Sequence, residues 1–229
     1  NPVGWRISTA VFGILAVALT IGIVYGTLFG QKMSDYLPYL AASLVLWGLF
    51  SNIVTEGSTA YISNGSYIRQ VATSRLIYIL QVTWRNSVIF CHNVAIIILL
   101  LAIFGVKRWD TLILFLPGLL LLVVNATWMA MITALISARF RDFPQIVASI
   151  VQMAFYITPI MYKAELLTKY SFITRYNPLL YLLDVARMPL LGQVPSMQTY
   201  VITIVMAIVG WTFALWFTGR YIKRISYWI

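Results

Sequence analysis

Charged residues are scarce in this sequence. Only 10% of its 229 residues are Asp, Glu, Lys or Arg, whereas about a quarter of a typical soluble domain is charged. Hydrophobic residues make up 61% of the chain, and the mean hydropathy is +0.88. A soluble core of this size cannot bury so much apolar surface, so we predict that lipid surrounds most of the chain.

Residues that carry catalytic or metal chemistry are also scarce. The single cysteine, Cys91, can form no disulfide within the chain, and the single histidine, His92, excludes a metal site built from several histidines. The six acidic residues form no D-x-x-D pair, which argues against a magnesium site for polyprenyl-phosphate chemistry. The sequence also lacks a G-x-x-x-x-G-K-[ST] motif. We therefore predict no catalytic residue, no metal site and no cofactor in this chain, which leaves a membrane glycosyltransferase or polyprenyl-phosphate transferase as a disfavoured alternative.

Positive charge is present but dispersed. The formal net charge is +10, and the sixteen Lys and Arg lie in short links between apolar runs rather than along one face. This distribution is typical of loops that flank membrane spans. We therefore predict a membrane protein that binds no nucleic acid.

Six apolar stretches are long enough to cross a bilayer as helices, which requires about 20 residues each. Five of them contain no charged residue, and the other contains only Glu56. The predicted fold is an all-α membrane protein in which residues 1–229 form a single transmembrane domain. The six predicted transmembrane helices are 7–29, 36–62, 87–106, 111–136, 143–162 and 197–219.

The orientation of these spans depends on the charges of the links. An even number of spans places both termini on one side of the membrane. With the termini in the cytoplasm, nine Lys and Arg lie in inner links and seven in outer links. The positive-inside rule therefore favours cytoplasmic termini by a narrow margin.

The inner link 63–86 is long enough to contain structure of its own. It begins with the turn formers Asn64, Gly65 and Ser66 and continues with helical periodicity. This pattern predicts either a short amphipathic helix on the inner surface or a lever that docks into another protein.

The outer link 163–196 is the second long link. Pro178 suits the first turn of a helix, and Pro189 and Gly192 suit its end. We predict two short outer helices, which either re-enter the membrane beside a cavity or lie flat on its surface.

Two ionisable residues within the spans, Glu56 and His92, are candidates for ion-coupled transport. Glu56 lies toward the inner end of its span, where hydrogen bonding to a neighbouring helix explains it better than a proton relay. His92 stands next to Asn93 and is interpreted as a helix-to-helix hydrogen bond. A secondary transporter remains the alternative.

The motif "SARFRDFPQI", residues 137–146, interrupts two apolar runs. Its Arg139 and Arg141 fit the inner interface, where basic residues set topology and meet lipid phosphates. Asp142 is expected to cap the following helix, with Pro144 in its first turn. The motif thus predicts a helix end, a tight inner turn and a helix start; the functional hypothesis adds that Arg139 or Arg141 binds a substrate pyrophosphate or an ATPase.

Four segments resemble a known family. They are "ARFRDFPQIVASIVQMAFYITPIMY" (138–162), "YNPLLYLLDVARMPLLG" (176–192), "WRNSVIFCHN" (84–93) and "TEGSTAYISNGSYIRQV" (55–71). Together they are similar to the Wzm/TagG-type permeases, the membrane subunits of bacterial ABC exporters of polyprenyl-linked polysaccharide. The chain departs from the family at "VATSR", where members often have Phe-Pro or Leu-Pro after the basic residue of the inner link.

This resemblance implies a homodimer of six-span permease subunits in the bacterial inner membrane, with cytoplasmic termini. It also implies two copies of a separate ABC ATPase, which bind ATP and Mg, and a polyprenyl-pyrophosphate-linked polysaccharide such as O-antigen as substrate. A drug or small-lipid exporter of the same superfamily is the alternative.

The resemblance and the chemistry of the substrate together predict three groups of functional residues. The predicted coupling segment for the ATPase is Ser63, Asn64, Gly65, Ser66, Tyr67, Ile68 and Arg69. The candidates for the substrate path are Trp47, Glu56, Arg85, His92, Trp128, Arg139 and Arg141. The predicted outer gate contains Tyr176, Asn177, Pro178, Tyr181 and Arg187.

Overall fold

The computed structural model of the chain describes residues 33–70, 74–104, 108–162 and 176–228, together with residue 20. These residues are helical apart from turns and short connections, and none of them forms a strand. The all-α prediction is therefore confirmed for this part of the chain. Its elements are α1 Met33–Ser58, α2 Ala60–Ser63, α3 Gly65–Gln70, α4 Leu76–Phe104, a 3-10 helix Asp110–Leu114, α5 Phe115–Arg139, α6 Phe143–Ile157, α7 Pro178–Leu190 and α8 Met197–Trp228.

Four membrane spans are long and apolar enough to be recognised in the described residues. They are Asp35–Ser58, Leu76–Leu99, Asp110–Arg139 and Met197–Ile222. These correspond to four of the six predicted spans. The predicted span 7–29 lies outside the described residues, so the total of six stays a prediction.

The predicted inner link and the third span share one continuous helix. The link was expected to continue to residue 86, but α4 already begins at Leu76 and runs without interruption to Phe104. No glycine or proline stands between these two residues, so nothing in the backbone stops the helix. Arg85 and Asn86 consequently belong to the long helix instead of the link.

The predicted span 143–162 is shorter than expected. α6 has 15 residues, which at about 1.5 Å per residue falls short of the roughly 30 Å of hydrocarbon. The helix ends at Ile157, and Thr158 is extended, with φ −83° and ψ 135°. Pro159 follows, and a proline disfavours helical geometry in the residue before it. Of the two short outer helices, only α7 lies in the described residues, and re-entry into the membrane stays a prediction.

α1 lies at the centre of the described bundle. It packs against α4, α5, α6 and α7, and most of its side chains are buried. Glycine allows two close approaches. A Cβ on Gly57 would lie 2.5 Å from the Cβ of Ala130, and a Cβ on Gly118 would lie 2.1 Å from the carbonyl oxygen of Val185. These contacts bring α1 onto α5 and α5 onto α7 at backbone distance.

Candidate functional site

The exposed surfaces of the helices differ in chemistry. α8 exposes Ile204, Ile208 and Phe213, and α5 exposes Leu116 and Leu120. Such faces suit contact with lipid, because hydrocarbon provides no hydrogen-bond partner for a polar group. Exposed polar side chains also occur within the apolar segments of α1, α4 and α6, for example Asn52, His92 and Gln152. We take these three neighbouring helices as the candidate site because α1 and α4 carry the path candidates Glu56 and Arg85.

A stripe of small and polar residues on α1 forms the floor of this site. Gly48, Ser51 and Thr55 are half-buried, and Asn52 is exposed. The hydroxyl of Thr55 donates to the Ser51 carbonyl at 2.7 Å, and the hydroxyl of Ser51 donates to the Gly48 carbonyl at 3.2 Å. The hydroxyl protons are thus satisfied within the helix, while the hydroxyl oxygens keep lone pairs that can accept a further hydrogen bond.

The stripe lies between two neighbouring helices. On one side of it, the ring of Trp47 packs against Phe155 of α6, with centroids 5.8 Å apart. On the other side, Glu56 is bonded to α4. At about 100° per residue, the stripe occupies the arc of α1 between these two contacts. We use the name polar groove for this strip of α1 together with the neighbouring faces of α4 and α6.

Three polar residues join α1 to α4 at one end of the polar groove. Arg85 Nη2 donates to Glu56 Oε2 at 2.7 Å, and Asn86 Nδ2 donates to the same oxygen at 2.6 Å. Glu56 and Arg85 remain partly exposed, with 42% and 59% of their side chains accessible. This pairing agrees with the interpretation of Glu56 as a residue that hydrogen-bonds a neighbouring helix, and it makes two path candidates direct neighbours.

The α6 wall was missed by sequence reasoning. Gln145, Ser149, Gln152 and Tyr156 follow one another at spacings of four, three and four residues, and all four are exposed. This spacing places them on one face of the helix. The signal was present in the sequence, but it was obscured because the whole segment reads as an apolar span.

The remaining path candidates lie in different places. Trp47 is buried at the edge of the groove, and His92 is exposed on α4, where Nδ1 lies 2.9 Å from the Val88 carbonyl. Trp128 lies away from the groove, because its ring covers Gly210 between α5 and α8 and its Nε1 donates to Asn125 Oδ1 at 3.0 Å. The structure therefore does not bring Trp128 together with Glu56 and Arg85.

The turn between α5 and α6 has the predicted form. α5 ends at Arg139, α6 begins at Phe143, and Pro144 lies in its first turn. Asp142 occupies the N-cap position, but its side chain makes no capping hydrogen bond, so that detail of the prediction is wrong. With φ −87° and ψ −10°, Asp142 has near-helical geometry in place of the extended backbone typical of a capping residue.

The two arginines of this turn are both exposed. The guanidinium of Arg139 lies 5.4 Å from the ring centroid of Trp228, which connects the turn to the end of α8. Arg141 is on the same turn. Binding of an anion by either residue stays a prediction.

The predicted coupling segment forms a small folded unit beyond the end of α1. The side chain of Asn64 donates to the Ala60 carbonyl at 2.8 Å, and α3 starts at the next residue. Gly65 and Ile68 are buried, whereas Ser63, Ser66, Tyr67 and Arg69 are exposed. Tyr61, which precedes this segment, is fully buried. The segment thus has one anchored face and one face open to a partner.

The predicted outer gate is a densely bonded region at the opposite end of α1. Asn177 caps α7 by accepting from Leu179 N at 3.0 Å, and its Nδ2 donates to Thr158 Oγ1 at 3.0 Å. Pro178 is the first residue of α7, Tyr176 is exposed and Tyr181 is half-buried. The helix start at Pro178 is confirmed, and gating stays a prediction.

Arg187 is the buried centre of that region. It forms an ion pair with Asp184 one turn earlier on α7, and Nη1 donates to Ser43 Oγ at 2.9 Å and to the Pro159 carbonyl at 2.8 Å. Tyr39 completes the arrangement by donating to the Pro159 carbonyl at 3.0 Å. These bonds hold α1, α7 and the extended segment after α6 together.

The described residues contain no cluster of His, Cys, Asp or Glu that could hold a metal ion. The site offers hydrogen bonds, one ion pair and aromatic surface, and these contacts suit the binding of a polar molecule.

Comparison with known proteins places this site in context. The family model described as ABC-2 type transporter matches residues 3–191. Two similar proteins of Klebsiella pneumoniae are both named O-antigen export system permease protein RfbA. One is 26% identical over 183 residues, which cover 76% of this chain and 71% of that protein. The other is 23% identical over 167 residues, which cover 72% of this chain and 64% of that protein.

Proposed function

Because the chain belongs to the ABC-2 type transporter family, as its sequence resemblance predicted, we propose that it exports polyprenyl-pyrophosphate-linked polysaccharide with energy from ATP. Family membership makes it a multi-pass membrane permease. Within the proposal it works as a homodimer in the bacterial inner membrane, with cytoplasmic termini. The O-antigen export named for the two relatives supports this choice of substrate.

The polar groove is the single observation that carries the proposal. Ser51 and Thr55 of α1 and Gln152 of α6 present hydroxyl and amide groups, and all three side chains are at least partly exposed. A polysaccharide is a polymer of hydroxyl groups, and its passage through hydrocarbon requires such partners along the way. Two copies of the chain with their grooves facing would enclose a continuous hydrated path.

The energy source is proposed to be a separate ATPase. The sequence has no nucleotide-binding motif, so ATP and Mg belong to the partner chains. The exposed face of α3, with Ser66, Tyr67 and Arg69, is the docking surface that we assign to that partner.

The coupling segment is connected in the chain to α1 and α4, two of the helices that form the polar groove. α3 stands between the end of α1 at Ser58 and the start of α4 at Leu76. These two helices are joined by the Glu56–Arg85 pair at the nearer end of the groove. A displacement of α3 by the ATPase would therefore change the spacing of α1 and α4 and widen or narrow the groove.

Reconstitution tests this function. The permease and its genomic-neighbour ATPase are placed in vesicles with polyprenyl-pyrophosphate-linked glycan, and glycan movement is followed with ATP and with a non-hydrolysable analogue. We expect movement only with ATP, and a strong reduction by Gln152→Leu in the groove. Ile208→Leu on the lipid face of α8 is the matched control and should transport normally.

The same preparation separates the proposal from a drug or small-lipid exporter. Lipids that co-purify with the complex are identified by mass spectrometry. A sugar-bearing polyprenyl pyrophosphate supports polysaccharide export. ATP-driven movement of a small lipid or drug in the absence of glycan transport refutes it.

A further inference from the structure

The α1–α4 side of the polar groove contains a niche of about 60 Å³. A single water molecule needs only roughly 10–15 Å³, so the niche is large enough for a chemical group of several atoms. Its lining combines apolar side chains with three carboxamides and one glycine. The lining residues are Leu44, Val45, Gly48, Leu49, Asn52, Asn86, Ile89, Phe90 and Asn93.

The carboxamides lie within the membrane-spanning parts of α1 and α4. Asn52 belongs to the span Asp35–Ser58, and Asn86 and Asn93 belong to the span Leu76–Leu99. An amide in hydrocarbon without a hydrogen-bond partner is costly, roughly 2–7 kcal/mol. Three amides around one opening therefore make the niche suitable for water or a polar ligand.

The amide of Asn86 has a fixed orientation. Its Nδ2 donates to Glu56 Oε2 at 2.6 Å and to the Val82 carbonyl at 3.0 Å. Both partners are oxygens that can only accept, so the nitrogen has to face them and both of its N–H groups are used. Oδ1 is the remaining hydrogen-bonding atom of this side chain. A ligand that contacts it must bring a donor.

The other lining residues define the rest of the ligand. Asn52 and Asn93 can donate to a carbonyl oxygen, while Leu49, Ile89 and Phe90 provide apolar surface. A group that donates to Asn86 Oδ1, accepts from Asn52 or Asn93 and contacts the apolar lining contains an N–H, a C=O and a methyl. The acetamido group has these parts in that small space, whereas a sugar hydroxyl has no apolar part to fill the niche.

Building on the proposed function, we propose that this niche binds the acetamido group of an N-acetylated sugar in the exported chain. The acetamido N–H donates to Asn86 Oδ1, its carbonyl oxygen accepts from Asn52 or Asn93, and its methyl lies against the apolar lining. Glu56 acts as a positioning residue, because its carboxylate fixes the amide of Asn86.

Gly48 offers a variant that is expected to occupy part of the niche. A Cβ built on Gly48 meets no atom within 4 Å, so the side chain of Gly48→Leu starts in open space beside the lining. Gly219 on α8 has the same open surroundings, which makes Gly219→Leu the matched control. The probes are the methyl glycosides of N-acetylglucosamine and glucose, added to the permease–ATPase complex in nanodiscs and followed by saturation-transfer NMR.

We expect saturation transfer to the acetyl methyl protons with the wild type and with Gly219→Leu, and loss of that signal with Gly48→Leu. Asn93→Leu, which leaves the Glu56 bonds intact, should weaken it as well. The subsite is refuted if the acetyl signal persists in Gly48→Leu or if glucose binds equally well. ATP-driven export is measured separately, and its absence for every glycan would instead defeat the proposed function.

Discussion

The guanidinium of Arg187 lies over the ring of Tyr39, 4.5 Å from the ring centroid, and donates to the phenol oxygen at 2.9 Å. This contact joins α7 to α1, and both residues also bond the Pro159 carbonyl in the segment after α6. The charge is compensated by Asp184, whose side chain is only 15% exposed. The predicted outer gate is thus built around a buried cation that bonds to α1, α7 and the segment after α6.

Replacing this cation should destabilise the protein. Arg187→Met leaves the Asp184 carboxylate without its partner in a buried place, which costs about 3–5 kcal/mol. We expect a clear fall in the unfolding temperature of the detergent-solubilised protein, and partial recovery in the double variant Arg187→Met with Asp184→Leu.

An exposed pair of the same chemistry provides the control. Arg108 Nη2 lies 2.5 Å from Asp110 Oδ2, but both side chains are more than half exposed. Water and salt screen an exposed pair, so Arg108→Met should leave the unfolding temperature nearly unchanged. Equal effects at the two sites would contradict the role assigned to Arg187.

The contact of α5 with α7 predicts a second stability effect. Gly118→Ala puts a methyl 2.1 Å from the Val185 carbonyl oxygen, which is backbone and cannot swing aside. The two helices must separate, so we expect a lower unfolding temperature. Gly48→Ala meets no neighbour and gains up to about 1 kcal/mol of helix propensity, so it should be neutral or stabilising. If Gly48→Ala proved less stable than Gly118→Ala, α5 and α7 would not pack as closely as described here.

The Glu56–Arg85–Asn86 contact distinguishes two transport mechanisms. Glu56→Gln removes the ionisable group, yet its amide oxygen can still accept from Arg85 and Asn86, so ATP-driven export should be largely retained. Glu56→Leu removes the acceptor and should reduce export much more. The measurement is the initial export rate at fixed ATPase activity. Complete loss in Glu56→Gln with normal ATP hydrolysis would favour an ion-coupled transporter.

Substitutions of two adjacent residues of α3 are expected to have different effects. Tyr67 is 62% exposed and Ile68 is 2% exposed. Tyr67→Ala should reduce co-purification of the ATPase without changing the unfolding temperature of the permease. Ile68→Ala should lower that temperature, because the truncation of a buried Ile costs about 2–5 kcal/mol. If Tyr67→Ala binds the ATPase as well as the wild type does, Tyr67 does not belong to the docking surface.

Composition and run length predicted the parts of the fold that depend on local chemistry. α1, α5 and α8 follow from uninterrupted apolar runs, and Pro178 and Pro144 mark the starts of α7 and α6. The third span was predicted to start only at residue 87, because the polar residues Arg85 and Asn86 end the apolar run, and the amphipathic pattern before them was not joined to it. Helical spacing allows them to face α1, which the polarity of single residues does not reveal.

The assembly of the site depends on contacts that are distant in sequence. Glu56 and Arg85 were separate candidates, and their pairing requires the packing of α1 on α4. Arg187 was assigned to a gate as an outer basic residue, but its burial depends on Tyr39, Ser43 and Pro159, which belong to other parts of the chain. Residue type and spacing alone do not contain that information.

The most direct test of the hydrated groove is the reactivity of single cysteines in the membrane. Cys91 is the only cysteine and is replaced by Ser, after which Ser51→Cys, Gln152→Cys and Ile208→Cys are made one at a time. Each is treated with a charged, membrane-impermeant thiol reagent in vesicles that contain the ATPase partner, because the reactive thiolate forms only in contact with water. We predict that the cysteines at 51 and 152 react and are protected by lipid-linked polysaccharide, whereas the cysteine at 208 does not react. Labelling at 208 with no reaction at 51 and 152 would contradict the account.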